Sequence, residues 1–180
     1  MSRPGPADPA KLVVGALVNH KPLLIGVAKA LMERFGEIEA ASRWLPFDYT
    51  SYYAPEMGGS LWRRVLVFQQ LHPQENLAGI KLQTNAIEDD FRIGSQRSVN
   101  IDPGLLLRER FILATGKNFS HRIYVGNGIY ADLTLIYRQG GFQTLPWTYP
   151  DYADAPIRRF LTGVRKRYAR QLKSEPRRSV

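Results

Sequence analysis

A glycine-asparagine-glycine tripeptide at residues 126–128 constrains the fold more than any other feature of this sequence. All three residues tolerate positive φ angles, and the runs on both sides are rich in β-branched and aromatic residues. This combination is typical of a β-hairpin. Counting outward from the turn places Val125 opposite Ile129, and the pairing of the other residues follows from that register.

The register predicts a ribbon with two different faces. On the polar face Tyr124 opposes Tyr130. Arg122 and Asp132 oppose each other on the same face as an exposed ion pair, although Arg122 could also clamp an anionic ligand. The other face is apolar, includes His121 and is expected to cover the core. His121 is either an acid or base in a site or a half-buried structural histidine.

A chain of 180 residues is expected to form one domain, here predicted at 11–173 between a disordered lead at 1–10 and a disordered basic tail at 174–180. Because the sequence contains no cysteine, disulfide frameworks, thiol catalysis and cysteine-ligated metals are excluded. The apolar runs are too short to span a bilayer, and the first residues lack the hydrophobic region of a signal peptide. The sequence therefore predicts a soluble cytoplasmic protein.

The net charge of +9 is concentrated near the C-terminus. Residues 158–180 contain nine arginines or lysines and one acid, Glu175, which together give +8, so the rest of the chain is close to neutral. The basic segment Arg158–Arg178 could bind RNA or another acidic partner, or it could be a solvated helix face. No RNP motif supports RNA recognition by the sheet.

The first hundred residues alternate between strand and helix patterns. Lys11–Val18 is apolar at nearly every position, which favours a central strand buried on both faces. Apolar residues recur twice at helical spacing. The predicted elements are a strand at 11–18, a helix at 22–36, strands at 38–48 and 61–71, a helix at 77–94 and a strand at 97–101. This order predicts an α+β fold with a ferredoxin-like βαββαβ core.

Further elements extend this core. Asp102 is a suitable N-cap, Pro103 suits the first helical position and Gly116 suits a helix stop, so a helix is predicted between them. The antiparallel β-hairpin follows, with a further strand near Phe142–Leu145. A basic amphipathic C-terminal helix is predicted after Asp154.

Two loops are rich in aromatic and polar side chains, at 44–59 and at 146–152. Such loops either form ligand sites or pack on their own aromatic rings. The topology places the loop at 48–59 and Asp102 at opposite edges of the sheet. The predicted ligand-binding residues, for a small anionic or nucleotide-like molecule, are Asp48, Tyr52, Tyr53, Glu56, Asn100, Asp102, His121, Arg122, Tyr130, Asp132, Trp147 and Tyr149.

No motif assigns a reaction to this site. The sequence lacks the phosphate loop GxxxxGK[ST] and the nucleophile elbow GxSxG, and the glycine turn is too weak for a dinucleotide fingerprint. His20, His72 and His121 lack the spacing of metal ligands, so neither a metal nor a cofactor is predicted.

Several segments together resemble a bacterial and archaeal family of small single-domain proteins described as domain of unknown function 4416. The segments are NIDPG, SHRIYVGNGIYADLTLIY, FDYTSYY and LPWTYPDY, and the likeness covers roughly residues 11–172. Leu105 stands where the NIDPGY motif of that family has a tyrosine. The resemblance implies one compact domain and transfers no catalytic residue.

Overall fold

The structure is a computed structural model that describes residues 3–58 and 60–174. Within these residues, a single open antiparallel sheet and α-helices confirm the mixed α+β class. The strands are β1 Ala10–Val18, β2 Ile38–Ala41, β3 Leu45–Phe47, β4 Leu61–His72, β5 Val99–Leu106, β6 Arg110–Thr115, β7 Arg122–Gly126, β8 Ile129–Arg138 and β9 Gly141–Thr144. The helices are α1 Leu23–Phe35, α2 Ala54–Met57, α3 Leu77–Asp90, α4 Pro150–Ala153 and α5 Ala155–Ser174. Most of the tail predicted at 174–180 lies outside the described residues.

The sheet has the strand order β2-β4-β1-β5-β6-β8-β7, with β3 paired to β4 and β9 paired to β8. β1 is central and buried at every position, as its apolar sequence predicts. Its side chains alternate between two hydrophobic clusters: Leu12 and Val14 pack with α1 and α3, whereas Val13 packs with α5. Helices therefore cover both faces of the sheet.

The helix predicted between Asp102 and Gly116 is wrong. This segment forms the second half of β5, a turn and β6, and Asp102 lies in mid-strand opposite Gly15. Gly104 permits the close approach of β6, because a Cβ atom there would lie 2.5 Å from the carbonyl oxygen of Ile112. Pairing with β1 and β6 outweighs the local capping pattern, since propensity is weaker than tertiary packing.

The single strand predicted at 38–48 is divided into β2 and β3, which both pair with β4. Ser42 lies at the division, and its hydroxyl accepts a hydrogen bond from the backbone N–H of Val65 at 2.9 Å. The Ser42 side chain thus accepts a hydrogen bond from β4 at the point where strand pairing is interrupted.

The hairpin register is confirmed for Arg122 opposite Asp132, but a bulge places Gly126 instead of Val125 opposite Ile129. The predicted burial of its apolar face is wrong, because Ile123 is 68% exposed. Ile123 is exposed because β7 is the last strand of the sheet, away from the hydrophobic core around the central strands.

The apolar stripe predicted for the last helix is buried in α5, where Ile157, Leu161, Val164 and Tyr168 pack on the sheet. Arg158 and Arg165 also serve the fold, since they donate hydrogen bonds to backbone carbonyl groups of Ala153 and Arg108. No helix in the described ranges has both the length and the apolar character needed to cross a membrane.

Candidate functional site

A cavity of about 660 Å³ lies where β5 and β6 separate. The two strands pair only between Gly104–Leu106 and Phe111–Leu113. Beyond this short ladder, Asn100 and Asp102 line one side of the cavity, and residues 113–117 line the other. The volume falls in the range of roughly 300–1,000 Å³ that is usual for small-molecule sites.

Helix α3 replaces β6 along the open side of β5. The backbone N–H of Ile101 donates to the Glu88 carboxylate at 2.7 Å, and Lys81 Nζ donates to the carbonyl oxygen of Ile101 at 2.8 Å. Lys81 and Glu88 also pair with each other at 3.7 Å. The backbone N–H and carbonyl groups of Ile101 are thereby satisfied without a neighbouring strand, which allows the gap to stay open.

Arg63 from β4 joins two carboxylates at the floor of the cavity. Its Nη1 and Nη2 atoms lie 2.9 Å from oxygens of Asp102 and Asp151, respectively. The side chains of Arg63 and Asp151 are 4% and 5% exposed, whereas that of Asp102 is 25% exposed. A Cβ atom at Gly15 would lie 2.5 Å from the Tyr152 hydroxyl and 2.7 Å from Arg63 Nη1, so this arrangement needs a glycine in β1.

The pKa values of the two carboxyl groups on the floor are shifted in opposite directions. Burial acts against the charge of Asp102, but Arg63 and Lys81, with hydrogen bonds from Arg63 and Asn100, hold its pKa below the usual value. Burial raises the pKa of Asp151, and the attraction of Arg63 only partly offsets this effect. Asp102 is therefore the more acidic of the two carboxyl groups and an acceptor of hydrogen bonds.

Arg97 ties three parts of the chain together beside the floor. Its guanidinium donates to Glu88 of α3 at 2.9 Å, to Asn100 of β5 at 2.5 Å and to Glu56 of α2 at 3.3 Å. Burial raises the pKa of Glu88, which Arg97 and Lys81 counteract. The wall of the cavity is thus fixed by side-chain hydrogen bonds.

Aromatic rings form the mouth of the cavity. Phe47 meets Tyr53 edge to face with ring centroids 5.9 Å apart, and Tyr53 meets Tyr52 at 5.1 Å. Lys117 Nζ donates to the Tyr52 hydroxyl at 2.7 Å and lies 4.4 Å from the centre of the same ring. Among the cations that line the cavity, Lys117 is the one without a carboxylate partner in the described part of the chain.

Some of the residues that were predicted to bind a ligand line the cavity. Its lining includes Tyr52, Tyr53, Asn100, Asp102, Asp132 and Tyr149. Glu56 contacts the lining through Arg97, Asp48 is exposed, and Tyr130 packs against Tyr124. The prediction that the 48–59 loop and Asp102 lie at opposite edges is wrong, because Asp102 lies in mid-strand and the tyrosines of the loop line the same cavity.

Arg122 does not face the cavity as an open clamp. Its Nε atom donates to Asp132 at 2.9 Å, Nη1 to the carbonyl oxygen of Lys117 at 2.9 Å and Nη2 to the Tyr149 hydroxyl at 2.6 Å. All three nitrogens have partners within the protein. Arg122 therefore connects the hairpin to the rim of the cavity.

His121 belongs to the same structural cluster. Its Nε2 atom lies 3.2 Å from Asp132, and its ring stacks on Trp147 with centroids 4.8 Å apart. The Asp132 side chain is 1% exposed, so the ion pair with Arg122 is buried and not exposed as predicted. The indole N–H of Trp147 donates to the carbonyl oxygen of Leu133 at 2.7 Å, which fixes the connector at 146–152.

Several residues of the site were missed in the sequence. Lys81 and Glu88 lie at helical spacing beside the apolar stripe of α3, and this polar stripe is a signal that could have indicated a site. Arg63 and Lys117 have no comparable signal, because their partners come from distant segments.

Comparison with models of known protein families gives a match over most of the chain. A family model described as domain of unknown function 4416 matches residues 8–168. No curated protein and no solved structure matches the chain. The resemblance of the sequence motifs is therefore confirmed over most of the chain.

Proposed function

The chain belongs to the family described as domain of unknown function 4416, and we propose that it binds a small anionic or nucleotide-like molecule in the cavity between β5 and β6. The observation that carries this proposal is the position of Lys117. It lies at the mouth of the cavity, is exposed, and has a tyrosine hydroxyl instead of a carboxylate as its partner within the described residues. Its charge is available to an anionic group.

The aromatic residues at the mouth support a ligand that contains a ring. Tyr52 and Tyr149 are both exposed although they line the cavity. Exposed aromatic faces beside polar groups stack on planar rings and fix their orientation. A nucleotide-like molecule combines such a ring with an anionic group.

Lys117→Ala is expected to weaken binding of an anionic ligand about tenfold, because one charge-assisted hydrogen bond is lost. Binding would be measured by thermal shift and titration calorimetry with ribonucleoside 5′-monophosphates, ribose 5-phosphate and benzoate. The matched control is Lys166→Ala, which removes the same charge from the exposed side of α5, away from the cavity lining.

Two results would contradict the proposed function. One is the absence of a thermal shift with every compound of the panel. The other is an equal loss of affinity in Lys117→Ala and Lys166→Ala, since this would indicate a general effect of net charge.

We also propose that β1, α1, β2, β4, α3 and β5 form a ferredoxin-like core. The support is the order β2-β4-β1-β5, in which all neighbouring strands are antiparallel. In this core the outer edge of β5 is open to an additional strand. The partial pairing of β6 with that edge then accounts for the position of the cavity.

Nucleic-acid binding through α5 is the second candidate function. One observation favours it: the helix carries a group of exposed cations without an acidic partner among the described residues. They are Arg159, Lys166, Arg167, Arg170 and Lys173. Such a row of charges suits a phosphate backbone.

Replacing Lys166, Arg167 and Arg170 with glutamine is expected to reduce retention on heparin and on single-stranded RNA. The slope of log K against log salt should decrease in magnitude by about 2, because up to three phosphate contacts are lost. The matched control replaces the exposed Lys29, Arg43 and Arg138, which changes the net charge equally. An equal effect of both sets would contradict a role of α5, and ligand binding in the cavity should be unchanged.

A further inference from the structure

Asp102 presents a free carboxylate oxygen at the floor of the cavity. Its Oδ2 atom accepts hydrogen bonds from Arg63 Nη1 at 2.9 Å and from Asn100 Nδ2 at 2.8 Å. Its Oδ1 atom has no hydrogen-bond partner within residues 3–58 and 60–174. The side chain is 25% exposed although it projects from the middle of a strand, and it lines the cavity. A bound molecule can therefore reach this oxygen.

The groups around Asp102 determine which hydrogen-bond donors its free oxygen favours. A carboxylate with a lowered pKa stays ionised and accepts hydrogen bonds from O–H or N–H groups. Arg63 pairs directly with Asp102, and the charge of Lys81 also acts on it. Arg63 thus offsets the charge of Asp102, so the free oxygen needs a hydrogen-bond donor and not a second cation. A neutral hydroxyl group fits the position better.

A second polar group on the same floor also has no partner. Tyr152 lines the cavity, and its buried hydroxyl group makes no hydrogen bond to any described residue. Buried hydroxyl groups are normally hydrogen-bonded. With Asp102, Asn100 and Arg63 also on this side of the cavity, a polar part of a ligand fits here better than an apolar one.

We infer that the ligand is a hydroxylated anion, such as a nucleoside phosphate or a sugar phosphate, whose hydroxyl group donates a hydrogen bond to Asp102. This inference rests on the proposed function. Lys117 binds the anionic group at the mouth, and Asp102 accepts the hydroxyl group at the floor. The two residues lie on opposite sides of the gap between β5 and β6, so a ligand that contacts both must cross the cavity. Asp102 thus determines specificity for hydroxylated molecules.

Titration calorimetry with adenosine 5′-monophosphate and its 2′,3′-dideoxy analogue tests this inference. The unaltered protein is expected to bind the ribonucleotide at least about tenfold more tightly, because the analogue leaves the charged acceptor unpaired. Asp102→Asn should lose that preference by weakening only the ribonucleotide. The matched control, Asp90→Asn, changes an exposed carboxylate at the end of α3 and should keep the preference.

The possible outcomes separate this inference from the proposed function. Equal affinities of the unaltered protein for both nucleotides, with Lys117→Ala still weakening each of them, overturn the role of Asp102 and keep the anion site. If the protein binds benzoate but none of the nucleotides and no ribose 5-phosphate, the role of Asp102 is likewise overturned and the anion site is kept. No binding by any of these compounds overturns both. The comparison of the two nucleotides needs no variant, so it holds even if Asp102→Asn is unstable.

Discussion

Arg63→Met is expected to lower the free energy of unfolding by about 3–5 kcal/mol, the usual loss when one partner of a buried ion pair is removed. Arg63 is almost fully buried and contacts Asp102 and Asp151 at 2.9 Å each. Methionine preserves much of the apolar stem but leaves these carboxylates without their cation. Chemical denaturation of the variant and the unaltered protein measures the difference.

Controls separate the charge effect from loss of packing. Arg159→Met changes an exposed arginine of α5 and should alter stability by less than about 0.5 kcal/mol. Adding Asp151→Leu to Arg63→Met should recover more than half of the loss, because the most buried unpaired charge is then removed as well. If the double variant is no more stable than Arg63→Met, packing and not charge accounts for the effect.

The loss caused by Arg63→Met should also depend on pH. Burial already raises the pKa of Asp151, and removal of Arg63 must raise it further. A carboxyl group whose folded pKa exceeds its unfolded value of about 3.9 destabilises the fold at higher pH, and protonation relieves this as the pH falls. The difference in stability between the variant and the unaltered protein should therefore shrink as the pH falls from 7 towards the unfolded pKa.

The spacing of apolar residues correctly predicted those strands and helices whose sequence follows a single clear pattern. The continuous apolar run of β1 and the helical stripe of α1 are found within one or two residues of their predicted bounds. The segment at 102–116 was mistaken for a helix because its capping residues and glycine stop are equally compatible with a strand, a turn and a strand. Its long-range pairing with β1 and β6 is not visible in local sequence.

The predicted residues that line the cavity come from aromatic loops and from polar positions of strands, such as Asn100 and Asp102. The tyrosines at 52 and 53 and Tyr149 were found because aromatic residues are dense in these loops, and they line the cavity. Arg63 was not found, because its partners lie 39 and 88 positions later in the chain, at Asp102 and Asp151. The sequence does not show which strands will separate and bring such distant residues together.

Gly104→Ala is expected to destabilise the protein by about 1–3 kcal/mol, which is typical of overpacking in a core. The added Cβ atom would lie 2.5 Å from the carbonyl oxygen of Ile112 and 2.8 Å from two ring carbons of Phe111. The first neighbour is backbone, so β6 must move away from β5. Denaturation gives the stability change, and hydrogen exchange of the β6 amides locates it.

Gly79→Ala is the matched control for Gly104→Ala and should have the opposite sign. Gly79 lies inside α3, where a Cβ atom would meet no other atom within 4 Å, so alanine should stabilise the helix by about 0.5–1 kcal/mol. Because the ladder between β5 and β6 closes the inner end of the cavity, Gly104→Ala should also weaken ligand binding, whereas Gly79→Ala should not. A neutral Gly104→Ala variant with unchanged protection of β6 would show that the two strands do not need this close approach, and that another contact sets the width of the gap.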